Sequence, residues 1–487
     1  MFKKFDKLKE KVSSGISNLG KENNEPTYII QPADIAQLVG GFVIGFGLNT
    51  ENQLSQPSPK SEYKNLVSIP STFKYNIAKV SLGNSHCFYH TKDGKFFFAG
   101  TNRIGEFGTV SAGHVDELTQ FNHSTLKFKE IICAQQHTMF IGVDGKLYGS
   151  GKPDQLGMAT DEPKKTPTLI PALSQHKIAL YATSNKHSFA VTEDGILFGW
   201  GKSDLLGIGS FVKVKKITVT TKEPIVIDTC SAFLSFRIKS ITCGEEHTLA
   251  LLETGDVYGW GRGDEGQLGH GIKETRVSPI LIESIKSLNV ISIQCGAFNS
   301  SVLTTDKECY IWGQFGEEII MAPQPLCPGG SRQPMKVQQI SQNGFYNIVV
   351  TLSGDIYHFG IDYKQYTKSA WIPTLLKIDD PLLMGKRVTQ VAASAAGYYM
   401  IIYDGTPIYY PEIDYSRKGA KPTKTLAPLP ESQYSKNKDA LFGGNKPQNT
   451  TYLNKERNKN NPTTTTTTTT SSSNNSRNHH DNDEDIL

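Results

Sequence analysis

The sequence predicts an all-β chain: a seven-bladed β-propeller with a short N-terminal amphipathic helix and a disordered C-terminal tail. Three observations lead to that class. A pattern recurs about every fifty residues, nearly every copy carries an Asp-Gly or Gly-Asp turn, and the stretch from 411 onward is of low complexity.

The chain begins "MFKKFDKLKEKVSSGISNLG". Phe2, Phe5, Leu8, Val12, Ile16 and Leu19 follow one another at intervals of 3, 3, 4, 4 and 3. That spacing predicts an apolar stripe on one helix face over residues 1–22, with Lys3, Lys4, Lys7 and Lys11 on the opposite side. A basic amphipathic helix can lie in a membrane interface or fill a partner's groove. Phe2, Phe5, Leu8, Lys3, Lys4 and Lys7 are therefore candidate contacts to membrane or partner; packing on the propeller is the plainer alternative. The first eleven residues resemble the N-termini of some golgins, which contact vesicle-tethering partners. Residues 23–40 read as a linker.

The propeller is expected over 41–410. The segment "CGEEHTLALLETGDVYGWGRGDEGQLGHG" at 243–271 sets the pattern: a G-x-x-H, a turn, an aromatic strand ending in Gly, then a Gly-rich loop. "LGNSHCFYHTKDGKFFFAGTNRIGEFG" at 82–108 repeats it, as do the stretches at 133–157 and 184–209. Weaker copies follow at 295–316, 343–360 and 395–410. The positions equivalent to His247 are His86, His137, His187, Asn299, Asn347 and Tyr399. Those equivalent to Gly261 are Gly47, Gly100, Gly151, Gly201, Gly313, Gly360 and approximately Tyr410, at intervals of 53, 51, 50, 60, 52, 47 and 50. Short alternating apolar runs flank Asp93-Gly94, Asp144-Gly145, Asp194-Gly195, Gly255-Asp256, Gly354-Asp355 and Asp404-Gly405, a hairpin signature.

The string "GRGDEG" at 261–266 matches a dinucleotide-binding G-x-G-x-x-G after a strand. Gly269, Gly271 and Pro279 follow it, so no helix N-terminus is available for a phosphate, and the sister copies lack the second glycine. The match is accidental, as is the embedded Arg-Gly-Asp.

"GEEHT" at 244–248, "YGWG" at 258–261 and "GQLG" at 266–269 together resemble the regulator of chromosome condensation repeat family. The opening "GFVIGFGLNTENQLS" at 41–55 is similar to that family's first half-repeat, which implies closure of the ring by pairing N- and C-terminal strands. The resemblance covers about 41–410. The founding member is an exchange factor for the small GTPase Ran and docks on chromatin, so the resemblance implies a small GTPase as one possible partner. Exchange in that family depends on an acidic residue beside the third-copy histidine. Lys186 stands there in "SNKH", and the fifth-copy histidine is replaced in "GAFNSS" at 296–301.

The histidines at His86, His137, His187 and His247 fall on different blades and cannot converge on one metal ion. Each is expected to hydrogen-bond backbone within its own blade. Trp200, Trp260 and Trp312 read as packing between blades, and Gly201 and Gly261 as sites of close strand approach. The seven cysteines form no C-x-x-C pair, which argues against a disulfide framework or a thiolate zinc site.

With 51 basic against 47 acidic residues, both spread evenly, no excess of positive charge points to nucleic acid, and direct DNA binding is not expected. No activated nucleophile or acid–base pair is visible. The chain reads as a monomeric, non-enzymatic protein-interaction scaffold without cofactor or metal. The alternative is a guanine-nucleotide exchange factor for a small GTPase. The expected setting is cytoplasmic, with membrane association through the helix and the nucleus both left open.

Gly201 and His247 lie 46 residues apart, against 34 to 39 in the other copies. The extra length, about 208–232, includes "FVKVKKITVTTK" and makes Lys213, Lys215 and Lys216 a candidate binding loop. A longer solvated hairpin is the equal alternative. The tail, 411–487, holds eight consecutive threonines and an acidic end, and disorder is expected there.

Overall fold

The computed structural model describes residues 41–56, 61–110, 113–209, 220–327, 333–359, 376–377 and 386–404. The chain divides into two units, Met1–Asp414 and Tyr415–Leu487, and every described residue belongs to the first. The helix expected over 1–22, the Lys213–Lys215–Lys216 loop and the 411–487 tail all lie outside the described residues.

The described residues form seven four-stranded antiparallel sheets. In blade 1 the order from the centre outward is Ile77–Leu82, His86–Thr91, Phe96–Asn102 and Gly113–Phe121. Five further blades repeat this order. The seventh is composite: Arg387–Ala393 and Tyr398–Asp404 come from the end of the propeller, Gly41–Leu48 and Glu62–Ser68 from its start. Gly41 to Gly47 pair with Asp404 to Tyr398 without a break, so the first and last strands of the propeller share one sheet and the ring has no open seam.

Tight turns build each blade's central hairpin. Gly94, Gly145, Gly195, Gly255 and Gly354 occupy positive φ there, between +80° and +94°. The third strand ends in a bulge at the repeat glycine. At Gly261, φ is +98° and an added Cβ would lie 2.5 Å from the Glu246 carbonyl oxygen. Gly201 repeats this, with φ +110° and the Lys186 oxygen at 2.3 Å. The second strand passes directly beneath, so no side chain fits.

The core is seven clusters rather than one. Each is sandwiched between neighbouring blades, as alternating strand residues require. Trp260, fully buried, packs with Phe189 and Val191 of the preceding blade. Side chains also cap the free inner edge of the ring. Val391 N donates to Gln339 Oε1 at 3.2 Å, Val80 N to Gln390 Oε1 at 3.0 Å, and Cys133 N to Ser81 Oγ at 2.7 Å. Each bond runs from one blade's backbone to the preceding blade's side chain, which satisfies donors that an edge strand leaves open.

Two repeat positions need correction. Asn347 pairs with Phe359 as Thr248 pairs with Trp260, so Tyr346, not Asn347, occupies the His247 position in blade 6. In blade 7, Tyr398 pairs with Gly47 as His247 pairs with Gly261, which displaces Tyr399. Gly47 itself closes the ring. The eighth member of the glycine series, placed near Tyr410, lies outside the described residues.

Candidate functional site

The loops that lead into the second strand of each blade gather on one face, and two of them, Gly83–His86 and Gly244–His247, keep the full G-x-x-H. Gly244 leads that loop in blade 4, and a Cβ there would meet the His247 ring at 2.1 Å. The imidazole therefore folds back under its own loop. His86, His187 and His247 are fully buried and His137 nearly so.

These rings do not bond their own backbone, as the sequence led us to expect. Each reaches a hydroxyl of the next blade: His86 Nε2 to Thr138 Oγ1 at 2.9 Å, His137 to Thr183 at 3.1 Å, His187 to Thr248 at 2.8 Å, and His247 to Ser300 at 2.8 Å. The Ser300 hydroxyl donates its single proton to Gln267 O at 2.9 Å, and Thr138 to Glu106 O at 2.6 Å. Both hydroxyls must then accept from the imidazole, which fixes the Nε2–H tautomer. Burial drives the pKa of all four histidines from 6.5 to about 3, so they stay neutral. Where histidine is absent the link to the next blade persists: Tyr398 OH donates to Gly83 O at 2.8 Å, while Asn299 Oδ1 instead accepts from Gln342 Nε2 of the next blade at 3.1 Å.

The tryptophans latch the other way. Trp200 Nε1 donates to Gln155 O and Trp312 Nε1 to Gln267 O, both at 2.8 Å, on the preceding blade. Trp260 Nε1 is buried without a partner. The repeat histidines and tryptophans are thus internal to the ring and present nothing to a ligand.

The loop surface above them carries a network of ion pairs. Glu246, beside His247, is mostly buried and bonds Lys186 Nζ at 2.9 Å from blade 3 and Arg262 at 2.8 Å from its own blade, with Lys202 at 3.7 Å. Burial alone would raise the Glu246 carboxyl, but hydrogen bonds from Arg262 and Lys186 bring it down to about 2. Lys186, whose charge departs from the resembled pattern, is therefore neutralised by the adjacent copy. Opposite charges at one repeat position in consecutive copies were the signal that could have revealed this pair.

Three successive blades carry a basic-x-Asp pair on this rim: Lys152–Asp154 at 3.0 Å, Lys202–Asp204 at 3.4 Å and Arg262–Asp264 at 2.9 Å. The Arg-Gly-Asp string is the third of these, with its arginine and aspartate bonded to each other. Toward the centre, Asn84 and Asn185 both donate to Gln135, which donates to Glu245 at 3.4 Å. On the opposite half, Phe298 and Phe345 face each other with centroids 5.6 Å apart. The face is polar and charged over blades 1–4 and aromatic over blades 5 and 6.

Among the described residues, no group of three or more His, Cys, Asp or Glu could hold a metal ion. All seven cysteines are free, and burial pushes Cys87, Cys295 and Cys309 up to about 12, far from a reactive thiolate.

Residues 254–303 match the family model of the regulator of chromosome condensation (RCC1) repeat, and 238–267 match a second model of that repeat. The chain carries the regulator of chromosome condensation repeat. It is 28% identical over 376 residues to the human E3 ubiquitin-protein ligase HERC2, a match covering 73% of this chain and only 7% of that protein. It is 26% identical over 343 residues to the ultraviolet-B receptor UVR8 of Arabidopsis thaliana, covering 67% of this chain and 74% of the receptor. Two solved structures share the fold. Prp20p of Saccharomyces cerevisiae, studied for its binding to Gsp1p and histones, superposes with a TM-score of 0.62 at 16% identity, over 77% of this chain and 95% of that one. Human WBSCR16 gives 0.59 at 16% identity, over 75% and 98%.

Proposed function

We propose that this repeat propeller is a non-catalytic scaffold that binds a protein partner through the loop face of blades 2–4. The observation that carries the reading is the network around Glu246. It joins two blades, holds Lys186, Lys202 and Arg262 at fixed positions, and lies on a face whose core latches keep it rigid. A preorganised array of charges of both signs suits a partner of mixed charge, giving selectivity and fast encounter. The binding of Gsp1p and histones by Prp20p supports protein recognition by this fold. A cytoplasmic setting, with the nucleus open, accords with it.

The second reading is nucleotide exchange on a small GTPase, favoured by the likeness to Prp20p. The Lys186–Glu246 pair weighs against it, because the third copy offers an ammonium where the family resemblance asks for a carboxylate. Release of labelled GDP from a panel of purified small GTPases, Gsp1p among them, separates the two. A scaffold leaves every intrinsic rate unchanged. Acceleration of any member establishes the exchange factor instead.

A further inference from the structure

Blades 1 and 2 form between them a cleft, open to solvent on one side, with a cavity volume of about 270 Å³ lined by Lys79, Ser81, Phe88, His90, Phe96, Lys129, Glu130 and Ile131. Its origin lies in one cross-strand row. Lys79 pairs with His90, and His90 with Phe96, across the three inner strands of blade 1. The same row reads Glu130–Ile141–Leu147 in blade 2, Leu180–Val191–Leu197 in blade 3 and Ser240–Leu251–Val257 in blade 4. It continues as Ser292–Leu303–Cys309, Gln339–Val350–Ile356 and Gln390–Ile402–Val43. Everywhere else the middle residue is aliphatic and fills the gap against the next blade. Blade 1 alone places an imidazole there, stacked on Phe96 with centroids 4.4 Å apart and planes at 15°.

We propose that this cavity is a binding site for a free aromatic amino acid. The floor is apolar, formed by the buried Phe88 and Ile131, and the stacked His90–Phe96 pair lines the cleft beside it, giving a further aromatic ring a surface to pack on. Burial and the neighbouring Lys79 hold His90 below its ordinary pKa, so the wall is uncharged at neutral pH. The rim carries both signs. Lys79 Nζ lies 2.5 Å from Glu130 Oε1, and their side chains are 48% and 36% exposed. An ion pair this wet is worth little and opens easily. Opened, it offers an ammonium to a ligand carboxylate and a carboxylate to a ligand ammonium. A simple anion would face Glu130, and a simple cation would face Lys79 and Lys129. Only a zwitterion satisfies both partners. The volume falls below the range that drug-sized ligands occupy and suits a single amino acid.

The test is ligand-observed NMR on the full chain with L-phenylalanine, L-tyrosine, L-tryptophan and phenylalanine amide. Saturable binding with a Kd of about 0.1–10 mM is expected for the free amino acids, and the amide should bind about tenfold more weakly. His90→Ile, which installs the aliphatic filler of the other blades, should abolish binding and keep or raise the melting temperature. If that variant misfolds, Lys79→Gln with Glu130→Gln alters only the exposed rim and should also abolish binding. No saturable signal from the wild type overturns the proposal. So does binding that survives the rim variant, or an amide that binds as well as the amino acid, which would mark a peptide N-terminus as the occupant.

Discussion

Replacing Ser300 with alanine removes one oxygen and no carbon framework, so its cost isolates a single latch between blades 4 and 5. Ser300 Oγ accepts from His247 Nε2 at 2.8 Å and donates to Gln267 O at 2.9 Å. Gln267 O keeps a second donor, Trp312 Nε1 at 2.8 Å. His247 keeps no other side-chain partner. Its Nδ1 already lacks a partner, and the ring is fully buried. An orphaned buried donor costs about 1–3 kcal/mol, so Ser300→Ala should lower the unfolding free energy by about 2 kcal/mol. His247→Ala also loses the buried ring's contacts and leaves a cavity, and should cost about 3–5 kcal/mol. The two are coupled: with the ring gone, Ser300→Ala should cost about 1 kcal/mol or less. Urea unfolding followed by tryptophan fluorescence gives all three values. A Ser300→Ala cost below about 0.5 kcal/mol, or two single effects that simply add, would refute the latch.

Acid should weaken the same ring. The four latching histidines have native pKa values of about 3 against an ordinary 6.5, so between these limits the unfolded chain binds protons that the native chain refuses. Their contribution is intact above pH 6.5 and falls away below it, by about 1.4 kcal/mol each at pH 5.5 and about 5.5 kcal/mol together. Unfolding free energy that stays flat from pH 7.5 to 5.5 would contradict this. Gly261→Ala forces a Cβ to 2.5 Å from the Glu246 oxygen at φ +98°, and should destabilise by at least about 2 kcal/mol in the same urea assay. Phe2→Glu with Phe5→Glu tests the N-terminal stripe: if the stripe contacts a membrane, the double variant should be lost from the floating fraction in a flotation assay with its melting curve intact. A lower melting point with unchanged distribution would instead assign the stripe to packing.

The blade count and the composite closing blade were legible because both rest on local chemistry. Gly94 and Gly145 turn hairpins whatever surrounds them, and "GFVIGFGL" at 41–48 is visibly a lone third strand. The partners of the histidines were not legible. Nothing within "GEEHT" says that His247 will find Ser300, 53 residues on, because the contact forms only when two blades stack. The slips from Tyr346 to Asn347 and from Tyr398 to Tyr399 have a related cause: the last two copies lack the histidine, and their second strands, buried on both faces, show no alternation that would fix the register. The Lys186–Glu246 pair and the cavity beside His90 likewise belong to the spaces between copies, while the sequence displays the copies themselves.

The central claim, that the rim of blades 2–4 recognises a protein, is tested most directly by reversing its exposed cations. Lys152 and Lys202 are 46% and 36% exposed; Lys152 pairs with Asp154 of its own blade, and Lys202 pairs with Asp204 of its own blade and lies 3.7 Å from Glu246 of the next. Quantitative affinity capture should be run with wild type and with Lys152→Glu/Lys202→Glu, after matching their melting temperatures. The account predicts a discrete partner that the wild type retains and the reversed variant loses by about tenfold or more. Equal retention of every captured protein by both would contradict it.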